Sequence, residues 1–204
     1  MTPPLSDLGI LVIDMQDKYL TPWNNPNAYK NRLIESIGDL LDYADANSIK
    51  VWLVEFYGHI TPFGMKPSFK STAAEITRGR KYPIFNKFEQ GAFEQAGDYK
   101  YPDSSGQFYY NCYTPLLLDD ILTQQQIKKL VVAGVHASFC VLETILGAQK
   151  LGYEVRTALE LIANNLQNFQ SYNTPNKFKQ TLGTLKNQGM LADSWQEAVK
   201  ELGG

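Results

Sequence analysis

Six consecutive residues near the start of the chain, Leu8–Ile13, carry no polar side chain. A run of this length and composition predicts a β-strand that is buried on both faces, as strands inside a parallel sheet usually are. Similar short apolar runs recur along the sequence and alternate with segments of helical periodicity. This alternation is typical of βαβ units, so the sequence predicts an α/β fold with a mainly parallel sheet.

Composition restricts the class of protein and its partners. The chain has 204 residues, of which 44% are hydrophobic and 20% are charged, with a formal net charge of −2. This length suits a single domain over residues 1–204, and the absence of a basic stripe argues against a nucleic-acid partner. The apolar runs are too short to cross a membrane, and the first residues lack the features of a signal peptide. Two cysteines make no disulfide framework, so we expect a cytoplasmic protein.

Further elements follow from the spacing of apolar residues. Strands are expected at Val51–Phe56, Tyr82–Phe85, Lys129–Ala133 and Glu154–Leu159. Helices are expected at 28–46, 115–126, 139–151, 174–188 and 193–202. The stretch 57–80 is rich in Gly, Pro, Ser and Thr, which predicts a long loop of the kind that often carries function.

Three residues with reactive side chains follow apolar segments that we predict to be strands. An open parallel sheet binds its ligands beyond the carboxyl ends of its strands. They are Asp14, Lys87 and Cys140. Cys140 follows a predicted strand and a glycine turn at the mouth of a helix, whose partial positive charge favours a thiolate. The three residues also have ordinary interpretations, as a turn aspartate, a solvated loop lysine and a core cysteine. Cys112 lacks this placement, and we interpret it as structural.

Together these positions resemble the isochorismatase-like cysteine hydrolase family. The similarity extends from about Leu8 to Leu159, and the segments that carry it are Leu11–Gln16, Lys87 with Ala92–Phe93, Gly134–Thr144 and Gly152–Val155. The resemblance implies a three-layer α/β/α fold with a six-stranded, mainly parallel sheet. It also implies a cis peptide bond between Val135 and His136.

The resemblance further implies a covalent mechanism that requires no organic cofactor. Asp14 would act as general base and acid, Lys87 as its charge partner, and Cys140 as the nucleophile. Backbone N–H groups of His136 or Ala137, together with that of Cys140, would form an oxyanion hole. The expected substrate is a small molecule of the amide or ureido type, cleaved at a C–N bond.

Two other functions stay open at this point. One is an isochorismatase-type vinyl-ether hydrolase, in which Asp14 is an acid and Cys140 is idle. The other is a catalytically silent binding or assembly protein on the same fold. Relatives are commonly dimers or tetramers, so the resemblance also implies a homo-oligomer.

Nicotinamidases of this family hold a metal with one aspartate and two histidines. The corresponding segment here is Leu53–His59, and the chain has only two histidines, His59 and His136. A zinc site generally needs three protein ligands, so we predict no catalytic metal. Glu55 with His59 stays open as an alternative pair of metal ligands.

The segment 97–113 is rich in aromatic residues and is an insertion relative to the family pattern. It suits a lid or substrate wall, a subunit contact, or a segment that packs on its own surface. Tyr19, Trp23 and Tyr57 are candidate substrate-binding residues, with core packing as the alternative for Tyr19 and Trp23.

Overall fold

The fold is organised around a mostly parallel sheet with Leu8–Ile13 (β1) at its centre. The structure is a computed structural model, and it describes residues 5–20, 28–57, 60–61, 64–65, 72–103, 105, 107–110, 116–164 and 175–203. In the chain order β1 to β11, the further strands are Lys50–Phe56, Ile60–Thr61, Gly64–Met65, Ile84–Lys87, Asp98–Pro102, Phe108–Tyr110, Lys129–Val135, Glu154–Ala158, Ile162–Ala163 and Leu191–Ala192. The order across the main sheet is β11-β9-β8-β1-β2-β5-β6-β7, and the short β10 pairs with β8.

Helices cover both faces of this sheet. In the chain order α1 to α7, they are Asp17–Leu20, Ala28–Ala46, Ala74–Thr77, Leu118–Gln124, Leu142–Lys150, Pro175–Asn187 and Trp195–Gly203. The chain crosses from β1 to β2 through α2 and from β8 to β9 through α5, and these crossovers run in opposite directions along the sheet. Because parallel crossovers are right-handed, α2 and α5 lie on opposite faces, as a three-layer α/β/α fold requires. Among the described residues, no helix combines the length and apolar composition needed to cross a bilayer.

The burial of β1 follows from its position in the sheet. It pairs in parallel with β2 on one side and with β8 on the other, so that Ile13 lies opposite both Val54 and Gly134. All six residues of β1 are buried, which confirms the strand predicted from its unbroken apolar run. The carboxyl ends of β1, β2, β5 and β8 therefore meet at one edge of the sheet.

The prediction of six strands is wrong, because two antiparallel strands extend the sheet. Six strands, from β11 through β9, β8, β1 and β2 to β5, are parallel. The segment predicted as an insertion supplies β6 and β7, and β6 pairs antiparallel with β5. This hairpin lies at one edge of the main sheet. One of its side chains, Tyr101, is 47% exposed.

Other predicted bounds are partly right. The helix at 28–46 is confirmed to the residue, whereas the helix predicted at 115–126 is limited to Leu118–Gln124. The loop predicted at 57–80 contains β3, β4 and α3. Lys87 is the last residue of β5 and does not lie in the loop after it, so a strand fixes its backbone. Cys112 and Trp23 lie outside the described residues.

Candidate active site

Asp14 and Lys87 form a buried ion pair at the carboxyl edge of the sheet. Asp14 directly follows β1 with φ of 51°, and its N–H donates to the carbonyl oxygen of Val54 at 2.8 Å. Lys87 ends β5, two strands away. Lys87 Nζ lies 3.0 Å from Asp14 Oδ2, and the two side chains are 2% and 1% exposed. Charges at this depth are tolerated because each neutralises the other.

Two further contacts hold the ammonium group of Lys87. Its Nζ donates to the carbonyl oxygen of Glu89 at 3.0 Å. It also lies 5.0 Å from the centroid of the Phe56 ring, within the range of a cation–π contact. The sequence places aromatic residues around this lysine, but the ring that contacts Nζ comes from the neighbouring strand β2.

Cys140 meets this ion pair from the other side of β1. It lies in a π-helical turn, Ala137–Val141, which joins β8 to α5 and is called the nucleophile turn below. The Cys140 thiol lies close enough to Asp14 and Lys87 for both to shift its pKa, and the residue is partly exposed. The structure thus brings together the three residues predicted at strand ends.

Burial and charge determine the protonation state of the thiol. Burial, together with the negative charge of Asp14, raises the pKa of Cys140 to about 12, although the charge of Lys87 lowers it. The resting protein therefore holds a neutral thiol at Cys140. A base must remove the thiol proton before the sulfur can act as a strong nucleophile.

The pKa values of the two partners are also shifted. Burial raises the pKa of Asp14 above its ordinary value, and the charge of Lys87 only partly offsets this effect. Burial alone would lower the pKa of Lys87, but the negative charge of Asp14, with a smaller contribution from Cys140, outweighs burial, and the pKa is raised. Lys87 is thus a permanent cation near neutral pH, while Asp14 has the raised pKa of a group that can exchange a proton.

The backbone beside Cys140 provides few unused N–H groups. The Val135–His136 peptide bond is cis. The N–H groups of Phe139 and Val141 both donate to the carbonyl oxygen of His136, at 3.0 and 3.2 Å. The N–H of Ser138 donates to Asn164 Oδ1 at 3.0 Å. These three bonds involve neither Ala137 nor Cys140, two of the predicted oxyanion donors.

The imidazole of His136 lies close to this site and is neutral. Burial, with a smaller effect from Lys87, lowers its pKa to about 4. The ring of Tyr19 packs edge-on against it, with centroids 5.4 Å apart. Burial raises the pKa of Tyr19, and so does the nearby negative charge of Asp14. Tyr19 is thus a neutral phenol close to Asp14 and Cys140, whereas Tyr57 packs against Phe88.

The described residues contain no cluster of three His, Cys, Asp or Glu side chains that could hold a metal ion. Glu55 is buried, and its Oε1 accepts hydrogen bonds from the N–H and hydroxyl of Thr72 at 2.7 and 2.9 Å. Burial raises the pKa of Glu55, while the hydrogen bonds from Thr72 lower it. His59, its predicted partner in the alternative metal pair, lies outside the described residues.

Sequence reasoning missed two polar residues that support this site. The side chain of Gln16 makes two hydrogen bonds to the backbone of Phe56, with its Oε1 accepting at 2.9 Å and its Nε2 donating at 3.3 Å. Asn164 makes two hydrogen bonds to Ser138 in the nucleophile turn. Both Gln16 and Asn164 follow apolar strand segments, so the signal that selected Asp14 could also have selected them.

Solved structures with the same fold carry different activities. An isochorismatase-like hydrolase from Alkaliphilus metalliredigens is 16% identical and has a TM-score of 0.65, covering 96% of this chain and 98% of its own. A ribonuclease from Caenorhabditis elegans is 18% identical with a TM-score of 0.65, covering 99% and 83%. A pyrazinamidase from Pyrococcus horikoshii, solved with zinc, is 17% identical with a TM-score of 0.62, covering 92% and 99%. These low identities support a common fold alone.

The sequence itself matches a family model. No curated protein matches the chain. The model of the Isochorismatase domain matches residues 9–173, which include Asp14, Lys87 and Cys140. Because this match covers most of its length, the chain belongs to the isochorismatase family of hydrolases.

Proposed function

We propose that this protein is a cysteine hydrolase that cleaves a C–N bond of a small amide or ureido-type compound through a Cys140 thioester. One observation carries the proposal. A partly exposed cysteine lies beside a buried carboxylate and a buried ammonium group, and these two charged groups are 3.0 Å apart. Nucleophile, base and charge partner are thus in mutual contact, which is the arrangement that covalent catalysis requires.

The first half of the reaction forms the thioester. The carboxylate of Asp14 takes the thiol proton while Cys140 Sγ forms a bond to the carbonyl carbon, and the carbonyl electron pair moves to the oxygen. The N–H of Ala137, aided by that of Cys140, would donate to this oxyanion. When the electron pair returns, the C–N bond breaks, and protonated Asp14 gives its proton to the leaving amine. Lys87 stays protonated throughout and stabilises the charge that moves between carboxylate and sulfur.

The second half of the reaction restores the enzyme. Asp14, again a carboxylate, takes a proton from a water molecule that attacks the thioester carbon. The C–S bond then breaks, and Cys140 recovers its proton from Asp14. The net reaction consumes one amide bond and one water, and it releases a carboxylic acid and an amine. The three side chains supply all the proton transfers, so we expect no organic cofactor.

The raised pKa of Asp14 supports one alternative. A carboxylic acid with a raised pKa can protonate the vinyl ether of isochorismate, which would leave Cys140 without a covalent role. The two reactions differ in their need for the sulfur. The proximity of the thiol to both Asp14 and Lys87 favours the cysteine hydrolase, since an idle side chain has no need to approach both partners.

Removal of the sulfur distinguishes these reactions. We expect a panel of small primary carboxamides and ureido compounds to yield at least one substrate that releases ammonia. Cys140→Ala should lose this activity, whereas Cys112→Ala, which also removes one thiol, should retain it. Intact mass spectrometry of the wild type during turnover should show an acyl adduct on Cys140. Hydrolysis of isochorismate that survives in Cys140→Ala, with no ammonia release from the panel, would overturn the proposal.

We expect the small-molecule pocket beside Asp14, Lys87 and Cys140. Tyr19, whose ring packs on His136, is the described aromatic residue best placed to contact a substrate there. We also expect a homo-oligomer, a dimer or a tetramer, which sedimentation velocity measures directly.

A further inference from the structure

The nucleophile turn depends on support from outside itself. It is π-helical, a geometry that is rare and occurs mostly as single turns at functional sites. Two of its N–H groups, those of Phe139 and Val141, share one acceptor, the carbonyl oxygen of His136. A short turn with a shared acceptor is weakly held by its own backbone, so side-chain contacts from outside it help to fix the location of Cys140.

Asn164 supplies two of these contacts. Its Oδ1 accepts a hydrogen bond from the Ser138 N–H at 3.0 Å, and its Nδ2 donates to Ser138 Oγ at 2.8 Å. A backbone N–H only donates, so the orientation of the Asn164 amide follows from the first bond. Asn164 directly follows Ala163, which pairs with Val135 in the sheet. A strand end therefore delivers the amide beside the start of the nucleophile turn.

Thr181 of α6 completes a chain of hydrogen bonds behind Ser138. Thr181 Oγ1 lies 2.9 Å from Ser138 Oγ and 3.0 Å from the carbonyl oxygen of Lys177. The carbonyl can only accept, so it receives the Thr181 proton, and the Ser138 hydroxyl then donates to Thr181 Oγ1. Each proton in the chain has one acceptor. Ser138 and Thr181 are both buried, so loss of a link would leave a polar group unsatisfied.

We infer that Asn164 is a positioning residue, which holds the nucleophile turn so that Cys140 stays beside Asp14 and Lys87. The inference rests on the proposed function of Cys140 as the nucleophile. Asn164 touches neither the sulfur nor its two partners in the contacts described above, and it acts through Ser138, two residues before Cys140. Small displacements of a reacting group reduce rates strongly, which is why such support matters.

The test measures alkylation of Cys140 by iodoacetamide across pH, with peptide mass spectrometry to separate it from Cys112. Asn164→Ala should free the sulfur from burial and from Asp14, so that its pKa falls toward that of an ordinary thiol. A fall of one pKa unit makes alkylation at pH 8 about tenfold faster. Hydrolysis of the amide substrate should show kcat about 10–100-fold lower, with KM changed less than about threefold.

Two further variants keep this test decisive. Tyr153→Phe removes one hydrogen bond, from Tyr153 to Asp119, at the far end of the sheet, and should keep the wild-type alkylation profile. Thr181→Val removes only the outer link and should shift the profile in the same direction as Asn164→Ala, by a smaller amount. If Asn164→Ala does not fold, Thr181→Val decides. If Asn164→Ala folds and keeps the wild-type alkylation profile, the inference is overturned. If Asn164→Ala does not fold, a wild-type profile in Thr181→Val overturns it.

The proposed function is tested separately by Asp14→Asn. If the alkylation profile responds to Asp14→Asn but not to Asn164→Ala, the nucleophile assignment stands and only the positioning role fails. If neither variant changes the profile, the assignment of Cys140 fails together with the inference.

Discussion

Lys87 Nζ and Asp14 Oδ2 lie 3.0 Å apart in a part of the protein that solvent hardly reaches. The two residues have opposite effects on the pKa of Cys140. The charge of Asp14 raises this pKa, and the charge of Lys87 lowers it. Burial has the largest effect on this pKa and also raises it, so the thiol stays protonated at rest. The arrangement therefore suits a thiol that loses its proton only as it attacks, with Asp14 as the acceptor.

Neutral replacements of the two partners should change thiol reactivity in opposite directions. Asp14→Asn removes the charge that raises the pKa of Cys140, so alkylation at pH 8 should become about tenfold faster or more. Lys87→Met removes the charge that lowers this pKa, so alkylation should become slower. Both variants should reduce amide hydrolysis at least about 100-fold, because each removes part of the proton-transfer apparatus. Alkylation that slows in both variants would contradict this assignment of charges.

The acid limb of the activity profile should report the pKa of Asp14. The base works only as a carboxylate, so kcat/KM falls as pH falls through this pKa, which burial raises above the ordinary value of 3.8. Lys87→Gln removes the cation that lowers the pKa of Asp14, so it should move the acid limb of the profile to higher pH by about 1–3 units. Lys87→Arg keeps a positive charge and serves as the control, with a limb close to that of the wild type. An acid limb that does not move in Lys87→Gln would assign it to another group.

Chelation should leave the hydrolase active. The proposed chemistry uses the carboxylate of Asp14, the ammonium of Lys87 and the sulfur of Cys140, and the carboxylate of Glu55 is engaged by Thr72. We expect activity after dialysis against EDTA to stay within about twofold of the untreated protein, since no step in the proposed scheme passes through a metal. Loss of activity on dialysis, with recovery on addition of Zn²⁺, would contradict this expectation and would direct attention to Glu55 and His59.

The spacing of apolar residues along the sequence predicted the strands and helices that depend on local sequence. The unbroken apolar run of β1 and the helical period of α2 give their bounds to the residue. The hairpin of β6 and β7 was not predicted, because its pairing with β5 is a long-range contact that leaves no periodic signal in a short polar and aromatic segment. The short strand β10 was missed for the same reason, and Asn164 was missed with it.

The candidate site could likewise be predicted from the sequence only in part. The residue types at strand ends predicted which side chains would meet, because parallel strands end at one edge of a sheet. The protonation state of Cys140 could not be predicted, since it depends on how deeply the fold buries the sulfur and on the balance between two charges. The support from Gln16 and Asn164 also depends on neighbours that are distant in sequence, such as Phe56 and Ser138.

Two glycine-to-alanine substitutions should change the free energy of unfolding in opposite directions. Gly134 has φ of 125°, and a Cβ there would lie 2.0 Å from the carbonyl oxygen of Ile13, its partner across β1 and β8. Both backbones are fixed by the sheet, so Gly134→Ala should cost about 3 kcal/mol or more, or prevent folding. Gly183 lies in α6, where a Cβ would meet no heavy atom within 4 Å, so Gly183→Ala should gain about 0.5–1 kcal/mol from helix propensity. Urea denaturation measures both, and a wild-type midpoint for Gly134→Ala would contradict the close approach of β1 and β8.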